Sequence, residues 1–522
     1  MSNSMDENIC KNKEMSWNKF EMAAKVNRVF LYGLGYCAVQ FFERYGNSII
    51  VKGIIDNDVC KQNFGIGEIL PEAFGTANEK ILIQSSHILN GADPDNTVIL
   101  IASSAKYREI VCELEIKGFR NYYIISLFED FQSDVGLSAQ DKISAAVEEY
   151  SRQTVSPQKI FFYTYGNYLD HEKYICNELL RQEQNLDIVW SVSDLQAELP
   201  SGVRKVLRSN WKKMIYEMET AHIWISDNSL PDYAVKRVEQ VYIQTKHWAS
   251  ITLKKFYLDT MAFCDEPEKL ALWNRESEMI DYIVVGSEFD KASCIRGFRF
   301  DRGFIMAGSP RSDGLFHERE NKDKVFKYYG IERDTHVLLY APTYRFDRRK
   351  GKHAHQFQVD GFDYEAVKTA LERRFGGSWI IAFRLHPSVK TTTKNEPLPS
   401  FVVDVSAYED SEELVSAFDI TVSDFSSIMF EPAFVKKPVF LYAEDLRDYL
   451  ENEYDILIDY HELPFDIAEN IEQLCENILN FNKSEYIGRL DAFFEKYGIH
   501  EDGHASERVA EFILGLVCGG MK

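Results

Sequence analysis

Short runs rich in β-branched and aromatic residues recur along the chain, each followed by a glycine or a Ser/Asp break and then by a stretch with helical periodicity. This alternation constrains the fold more than any other feature. Strands joined in parallel need a crossover, normally a helix, and the resulting sheet is covered on both faces. Arg28–Tyr32 (RVFLY), Ser48–Ile55, Thr97–Ala102 and Tyr122–Ser126 are strand candidates, with helices expected over Ala38–Tyr45 and Lys106–Lys117. Ser138–Arg152 has helical propensity and ends before Ser156-Pro157. The alternation resumes at Lys159–Tyr163, Ile188–Val192, His222–Ser226, Gln240–Gln244, Tyr282–Val285 and Gly303–Ala307. It resumes again at His336–Ala341, Trp379–Arg384, Phe401–Val403, Ile420–Val422 and Val439–Tyr442, and closes with helices over Ile467–Asn480 and Ala505–Leu516.

An α/β chain of 522 residues accommodates about three domains at roughly 100–200 residues each. The expected division is a disordered lead-in (1–25), a small Rossmann-like domain (26–135), a helical linker (136–157), two facing Rossmann-like lobes (158–318 and 319–490) and a C-terminal helix (491–522). Lys plus Arg total 59 against 82 Asp plus Glu, a net charge of −23. Such a surface repels phosphate backbones, so nucleic acid is not an expected partner. The nine cysteines form no CxxC pair and no zinc-ligand spacing, which fits reduced thiols in a cytoplasmic protein. The N-terminal segment has no apolar core of a signal peptide, and the longest apolar stretch, near Val98–Ala102, is far short of the ~20 residues of a membrane span. A cytoplasmic protein is expected, peripheral at most on the inner face of the plasma membrane.

Gly33-Leu34-Gly35-Tyr36-Cys37-Ala38 fits GxGxxA between a strand and a helix, and Asp56 stands 21 residues beyond Gly35 at the end of the next strand. Glycines permit the tight turn and close approach of a pyrophosphate to a helix N-terminus, and the carboxylate is placed for ribose hydroxyls. Gly33, Gly35 and Asp56 are therefore candidate nucleotide ligands. The competing reading, a fold that keeps the turn without the ligand, stands beside it. This first quarter of the chain resembles the small nucleotide-binding domain that precedes catalytic modules in bacterial sugar-modifying enzymes.

Five motifs fall at the ends of later strands, where α/β folds bind ligands. They are Gly308–Asp313 (GSPRSD), Ala341–Arg345 (APTYR), Arg384–Pro387 (RLHP), Ser423–Ser427 (SDFSS) and Lys437–Phe440 (KPVF); Ile243–His247 ends a strand of the preceding lobe. Arg345 and Arg384 can pair bidentately with phosphate oxygens, and His386 adds a donor. Ser426 and Ser427 precede a helix and would seat an anion, with Asp424 as its cap and Glu431 within reach of a ribose. Taken singly, each has an ordinary structural reading: a cap, a surface ion pair, a strand stop. The basic run Arg345–His355 reads first as a solvated loop.

As a set, these motifs resemble the CDP-glycerol glycerophosphotransferase family, the polymerases and primases of teichoic acids and related capsules, which carry GxPRxD, APTWR, RxHP, (S/T)DYSS and KP in this order. The resemblance covers roughly residues 158–490. It implies a GT-B fold whose C-terminal lobe binds a CDP-polyol such as CDP-glycerol through Arg311, Asp313, Pro342, Thr343, Arg345, Ser423, Asp424, Ser426, Ser427 and Glu431. It also implies charge neutralisation by Arg384 and His386, and His247 as the base that activates a hydroxyl of a polymer or lipid-linked acceptor. Two positions depart from the pattern. Lys246-His247-Trp248 stands where the family has WHG, and Glu431 where it often has Asp. The implied reaction expels CMP and rests on positioning and charge neutralisation. No cofactor is required, and without an acidic metal cluster in the sequence, metal-independent transfer is expected. Rival readings are a GT-B glycosyltransferase using a nucleotide sugar, a non-catalytic nucleotide sensor, and an oxidoreductase built on Gly33–Ala38; the last lacks a dehydrogenase constellation.

Overall fold

The computed structural model describes residues 15–128, 138–183, 185–260, 263–343, 345–347, 352–354, 362–385, 398–452 and 455–519, with the backbone alone for 345–347, 352–354 and 452. The chain forms two compact units. The first takes the chain as far as Thr154 together with 189–198 and 204–220; the second takes 155–188, 199–203 and the chain from Ala221 onward.

In the first unit, β1 (Arg28–Tyr32), β2 (Gly53–Ile55), β3 (Ile83–Gln84), β4 (Thr97–Ile101) and β5 (Tyr122–Ile124) make a parallel sheet in the order β3-β2-β1-β4-β5. Every residue of β4 is buried, as a strand covered on both faces requires. Leu31, Val98 and Leu100 face one core with Phe41, while Phe30, Ile99 and Ile101 face another with Ile110 and Leu114. β2 is shorter than the expected Ser48–Ile55 because the Asn78 side chain takes over the preceding backbone. It accepts from Val51 N (2.8 Å) and donates to the carbonyls of Gly46 (2.8 Å) and Ile49 (2.9 Å).

Two expectations about the ends of this unit are corrected. Within the lead-in expected to be disordered, Trp17–Ala24 is a helix, capped by Ser16. Trp17 and Phe20, three apart on one helical face, are buried and meet Phe128 and Tyr123 edge-on. The expected linker contains the helix Ala139–Tyr150, opened by a Ser138/Asp141 capping box. Its buried Tyr150 packs against Phe74 and Tyr216, so it belongs to the body of the unit. Tyr216 lies on the helix Trp211–Thr220, expected in the lobe 158–318 but assigned to the first unit. Asn210, just ahead of that helix, donates to Gly67 O at 2.7 Å.

Next come β6 (Ser156–Tyr163), β7 (Asp187–Val192), β8 (Val203–Leu207), β9 (Ala221–Ser226), β10 (Val241–Gln244), β11 (Tyr282–Val285) and β12 (Gly303–Met306). Within the second unit β12-β11-β10-β9-β6 lie side by side, all parallel. A second parallel sheet of that unit contains β13 (His336–Ala341), β16 (Trp379–Phe383), β17 (Val402–Asp404), β18 (Ile420–Ser423), β19 (Val439–Tyr442) and β20 (Asp466–Ala468). Its order is β17-β16-β13-β18-β19-β20. Strand order reverses between β13 and β18, and the crevice outside their carboxyl ends is where such sheets bind ligands. Part of the expected basic loop is an antiparallel hairpin of β14 (Arg345–Asp347) and β15 (Lys352–Ala354). At the C-terminal end Lys483–Tyr497 and Ala505–Gly519 are separate helices, so the expected boundary at 490 falls inside the first of them.

Candidate active site

A cavity of about 810 Å³ opens at the carboxyl ends of β13, β16 and β18. Ala341, Pro342 and Thr343 line it after β13, Arg384 and Leu385 after β16, and Ser426, Ser427 and Glu431 after β18. His247 and Trp248 line it from the loop after β10, followed by Lys254, Lys255, Phe256 and Tyr257. Of the expected site residues, His247, Arg311, Pro342, Thr343, Arg384, Ser426, Ser427 and Glu431 therefore meet around one space. His386 and the Arg345 side chain lie outside the described residues.

The SDFSS segment divides its labour. Ser423 is buried and donates to Ala341 O (2.8 Å), tying the end of β18 to that of β13. Asp424 does not cap the following turn as expected. Its buried carboxylate accepts from Thr343 N (2.7 Å) and Phe425 N (2.6 Å), which sets the Pro342–Thr343 loop. Ser426 is the cap, accepting from Ile428 N at 3.4 Å. Ser427 Oγ stands 3.0 Å from Thr252 Oγ1, bringing the chain after β18 against the chain after β10. Arg384 donates to Tyr408 O and, at 3.2 Å, to Glu409 O; burial lowers its pKa, yet a guanidinium keeps its charge.

The GSPRSD segment is corrected more deeply. Asp313 was expected at the donor, but it is buried and accepts from Ala505 N (3.0 Å) and Ser506 N (2.7 Å), the first residues of the C-terminal helix. A carboxylate at exposed N-terminal amides is a helix anchor, and that consumes its acceptors. Arg311 touches the cavity but is only 7% exposed, and its guanidinium is held by acids. It pairs with Asp170 (2.8 Å), Glu412 and Glu431 (3.1 Å), and donates to His247 O (3.1 Å) and Ser411 Oγ (3.3 Å). Burial opposes its charge, and the three carboxylates hold its pKa well above the ordinary value. Burial likewise pushes Glu431 up to about 8, with Glu412, Asp170 and Asp410 adding to the rise and Arg311 opposing it. Glu431 Oε2 has no hydrogen-bond partner among the described residues.

His247 is exposed on its loop, its ring nearly perpendicular to Trp248 with centroids 5.2 Å apart. The displaced tryptophan is pinned by a hydrogen bond from Nε1 to Asp290 (3.0 Å). Four residues that the sequence reading passed over support this region: Asp170, His171, Asp290 and Glu412. Asp170-His171-Glu172-Lys173 did carry a signal, since it opens an amphipathic helix with His171 and Glu172 on the buried side. Among the described residues no group of three or more His, Cys, Asp or Glu is arranged to hold a metal ion, and no helix is long and apolar enough to cross a membrane.

In the first unit, Gly33 has φ +94°, and a Cβ there would stand 3.1 Å from Ser103 Cβ. One at Gly35 would stand 3.3 Å from Ala102 O, so both glycines pack tightly against the chain leaving β4, and the φ of Gly33 itself favours glycine without any ligand. Asp56 accepts from Asp58 N (2.9 Å) in a turn of its own, with Lys61 3.7 Å away.

Comparison with known proteins places the second unit in context. A teichoic acid glycerol-phosphate transferase of Staphylococcus aureus is 30% identical over 360 residues, 66% of this chain and 90% of that protein. A teichoic acid poly(glycerol phosphate) polymerase of Bacillus spizizenii is 26% identical over 392 residues, 73% of this chain and 94% of that one. The match to the corresponding Staphylococcus epidermidis polymerase, 28% identical, covers 69% of this chain but spans only about half (51%) of that protein. The solved structure of the wall teichoic acid polymerase TagF shares the fold, with a TM-score of 0.64 at 24% identity over 73% of this chain and 96% of that one. A family model described as CDP-glycerol:poly(glycerophosphate) glycerophosphotransferase matches residues 146–515, and the chain belongs to that family.

Proposed function

We propose that the chain transfers a glycerophosphoryl group, or that of a related polyol, from a CDP-activated donor to a hydroxyl of a teichoic-acid-like acceptor. The observation that carries this reading is the meeting of His247 with Arg384, Ser426 and Ser427 around one cavity. The acceptor oxygen attacks the phosphorus that bears the polyol, the bond from that phosphorus to the CMP oxygen breaks, and CMP leaves with the electron pair. His247 takes the hydroxyl proton. Arg384, the Ser426 and Ser427 hydroxyls and the amides around them neutralise charge gathering on the diphosphate, which is most of what phosphoryl transfer asks of a protein. Glu431, raised towards neutrality, offers its open oxygen to a donor hydroxyl.

On this reading the two sheets of the second unit act as the lobes of a GT-B enzyme, near 158–318 and 319–490. The first unit is a Rossmann-like domain that holds a separate nucleotide at Gly33, Gly35 and Asp56. The enzyme works at the cytoplasmic face of the membrane on a polymer or lipid-linked acceptor. The description of the family supports the donor, and the names of the relatives support the acceptor class. The test is CMP release from CDP-glycerol with a synthetic oligo(glycerol phosphate), run beside a UDP-hexose. Release from CDP-glycerol alone is expected, with His247→Ala lowering turnover about 10²–10⁴-fold at nearly unchanged donor affinity. Hexose transfer, or full turnover by a folded His247→Ala protein, would reject it.

A further inference from the structure

The chain after β10 turns at Lys246, whose φ of +60° lies in the left-handed region. A residue with a side chain holds that conformation only against strain, so its surroundings must enforce it. They do so through the Lys246 side chain, which is 1% exposed. Its Nζ lies 3.1 Å from Asp290 Oδ2 and donates to Trp248 O (3.1 Å) and Ala249 O (3.2 Å). His171, fully buried, reaches Trp248 O from the start of the helix Asp170–Gln182 through Nε2 at 3.0 Å. Arg311 donates to His247 O at 3.1 Å, and Ser287 Oγ to Ser250 O at 2.7 Å. Four consecutive carbonyls, 247 through 250, thus each receive a side-chain donor. Loop carbonyls ordinarily turn to water. Here the backbone of the His247 loop is fixed by side chains from four different segments, while the His247 side chain itself stays exposed to the cavity.

His171 has one further feature. Burial, with the cations of Lys246 and Arg311 beside it, holds its pKa well below the ordinary value, so the ring is neutral. A neutral imidazole has one donor and one acceptor. Nε2–H serves Trp248 O, which leaves Nδ1 to accept from Arg311 N (3.4 Å). The ring therefore connects the chain carrying Arg311 to the chain carrying His247.

We propose that His171 and Lys246 are positioning residues for His247, clamping the carbonyls of Trp248 and Ala249 so that the imidazole meets the acceptor hydroxyl at a fixed place in the cavity. This rests on the reading of His247 as the base. A catalytic group displaced by about 1 Å loses on the order of 10² in rate while ligand binding elsewhere in the site survives.

The test uses the full chain with CDP-glycerol and a synthetic oligo(glycerol phosphate), measuring kcat by CMP release and donor Kd by calorimetry. His171→Leu removes the donor to Trp248 O, whereas His171→Gln keeps an N–H near the Nε2 position. Lys246→Met combined with Asp290→Asn removes the buried cation and its counter-charge together, so that no unpaired charge is stranded. The expected result is a kcat about 10²-fold lower for His171→Leu and for the double variant, donor Kd within about 2-fold of wild type, and recovery to within about 5-fold in His171→Gln. Equal kcat in all variants, or losses that His171→Gln does not recover, would overturn the proposal. So would parallel losses of kcat and donor affinity, or collapse of the fold in both disruptive variants, since these would assign the contacts to stability alone. His247→Ala, measured alongside, separates the two readings. Full turnover there removes the base itself, while a dead His247→Ala beside fully active clamp variants removes only the positioning role.

Discussion

Replacing Arg311 with methionine tests how much of this site is held together by one cation. Arg311 is buried, and its guanidinium faces Asp170, Glu412 and Glu431, all from different segments, as well as His247 O. Removing one partner of a buried ion pair typically costs about 3–5 kcal/mol, because the other charge is stranded. At about 1.4 kcal/mol per tenfold, local opening becomes roughly a hundred- to several-thousand-fold more frequent. The loss must also depend on pH. Without the guanidinium, the folded-state pKa of Glu431, already about 8, and that of Asp170, already raised, move further above their unfolded values. The folded state then binds more protons than the unfolded state, so stability falls as pH rises and the deficit of the variant is larger at pH 8.5 than at pH 5.5. Hydrogen exchange read by mass spectrometry on peptides spanning 303–316 and 411–434, corrected for intrinsic rates, reports this opening without assuming that the two units unfold together. A loss of protection under tenfold, or one that is the same at both pH values, would refute the reasoning.

Arg384→Ala is expected to weaken CDP-glycerol binding by about 1.5–3 kcal/mol, the worth of a charge-assisted contact, as measured by calorimetry; unchanged affinity would confine Arg384 to its bonds with the 408 and 409 carbonyls. Glu431→Gln mimics the protonated acid, so the variant should gain stability relative to wild type as pH rises between about 4.5 and 8, in urea titrations compared at pH 6 and pH 8.5. Asp313→Ala should loosen the helix Ala505–Gly519 by about 1–2 kcal/mol in exchange experiments and leave donor affinity within about 2-fold. Deletion of residues 1–150 should yield an insoluble fragment, because Met214, Ile215 and Met218 of the helix Trp211–Thr220 lose the unit they are buried in; sedimentation of the expressed fragment decides it.

Much of this architecture could be read from residues alone. Runs such as Val98–Ile101 and Val337–Ala341 are apolar throughout, as a strand buried on both faces requires. Motifs at strand ends marked the cavity for the same reason: a polar residue just after such a run sits at the sheet's carboxyl edge. What escaped the sequence reading was the allocation of polar side chains once folded. Asp313 and Glu431 were both expected at the donor, yet the first anchors a helix 192 residues away and the second lines the cavity. Asp424 looked like a cap because it precedes a helical turn, but Thr343 N, 81 residues earlier, claims its carboxylate. Chain segments 189–198 and 204–220 joined the first unit through aromatic contacts such as Phe74–Tyr216, which have no periodic signature. Long-range partners of this kind are set by topology and leave no local trace.

The anchorage of the C-terminal helix has a consequence for biosynthesis. Glu501 accepts from Ser309 N (3.2 Å) and from Ser250 Oγ, a residue 251 positions earlier and three beyond His247, while Ala505 and Ser506 close on Asp313. A chain emerging from the ribosome N-terminus first makes its earlier domains before these partners exist. The loop that carries His247 thus remains unfinished through the synthesis of both later sheets, and is completed only when the residues around 501–506 arrive. Contacts across such separations also form late and slowly in refolding. A chain interrupted before residue 501 would carry every motif of the cavity and still lack the last brace of its reactive loop, so activity becomes a report that translation has run past that point.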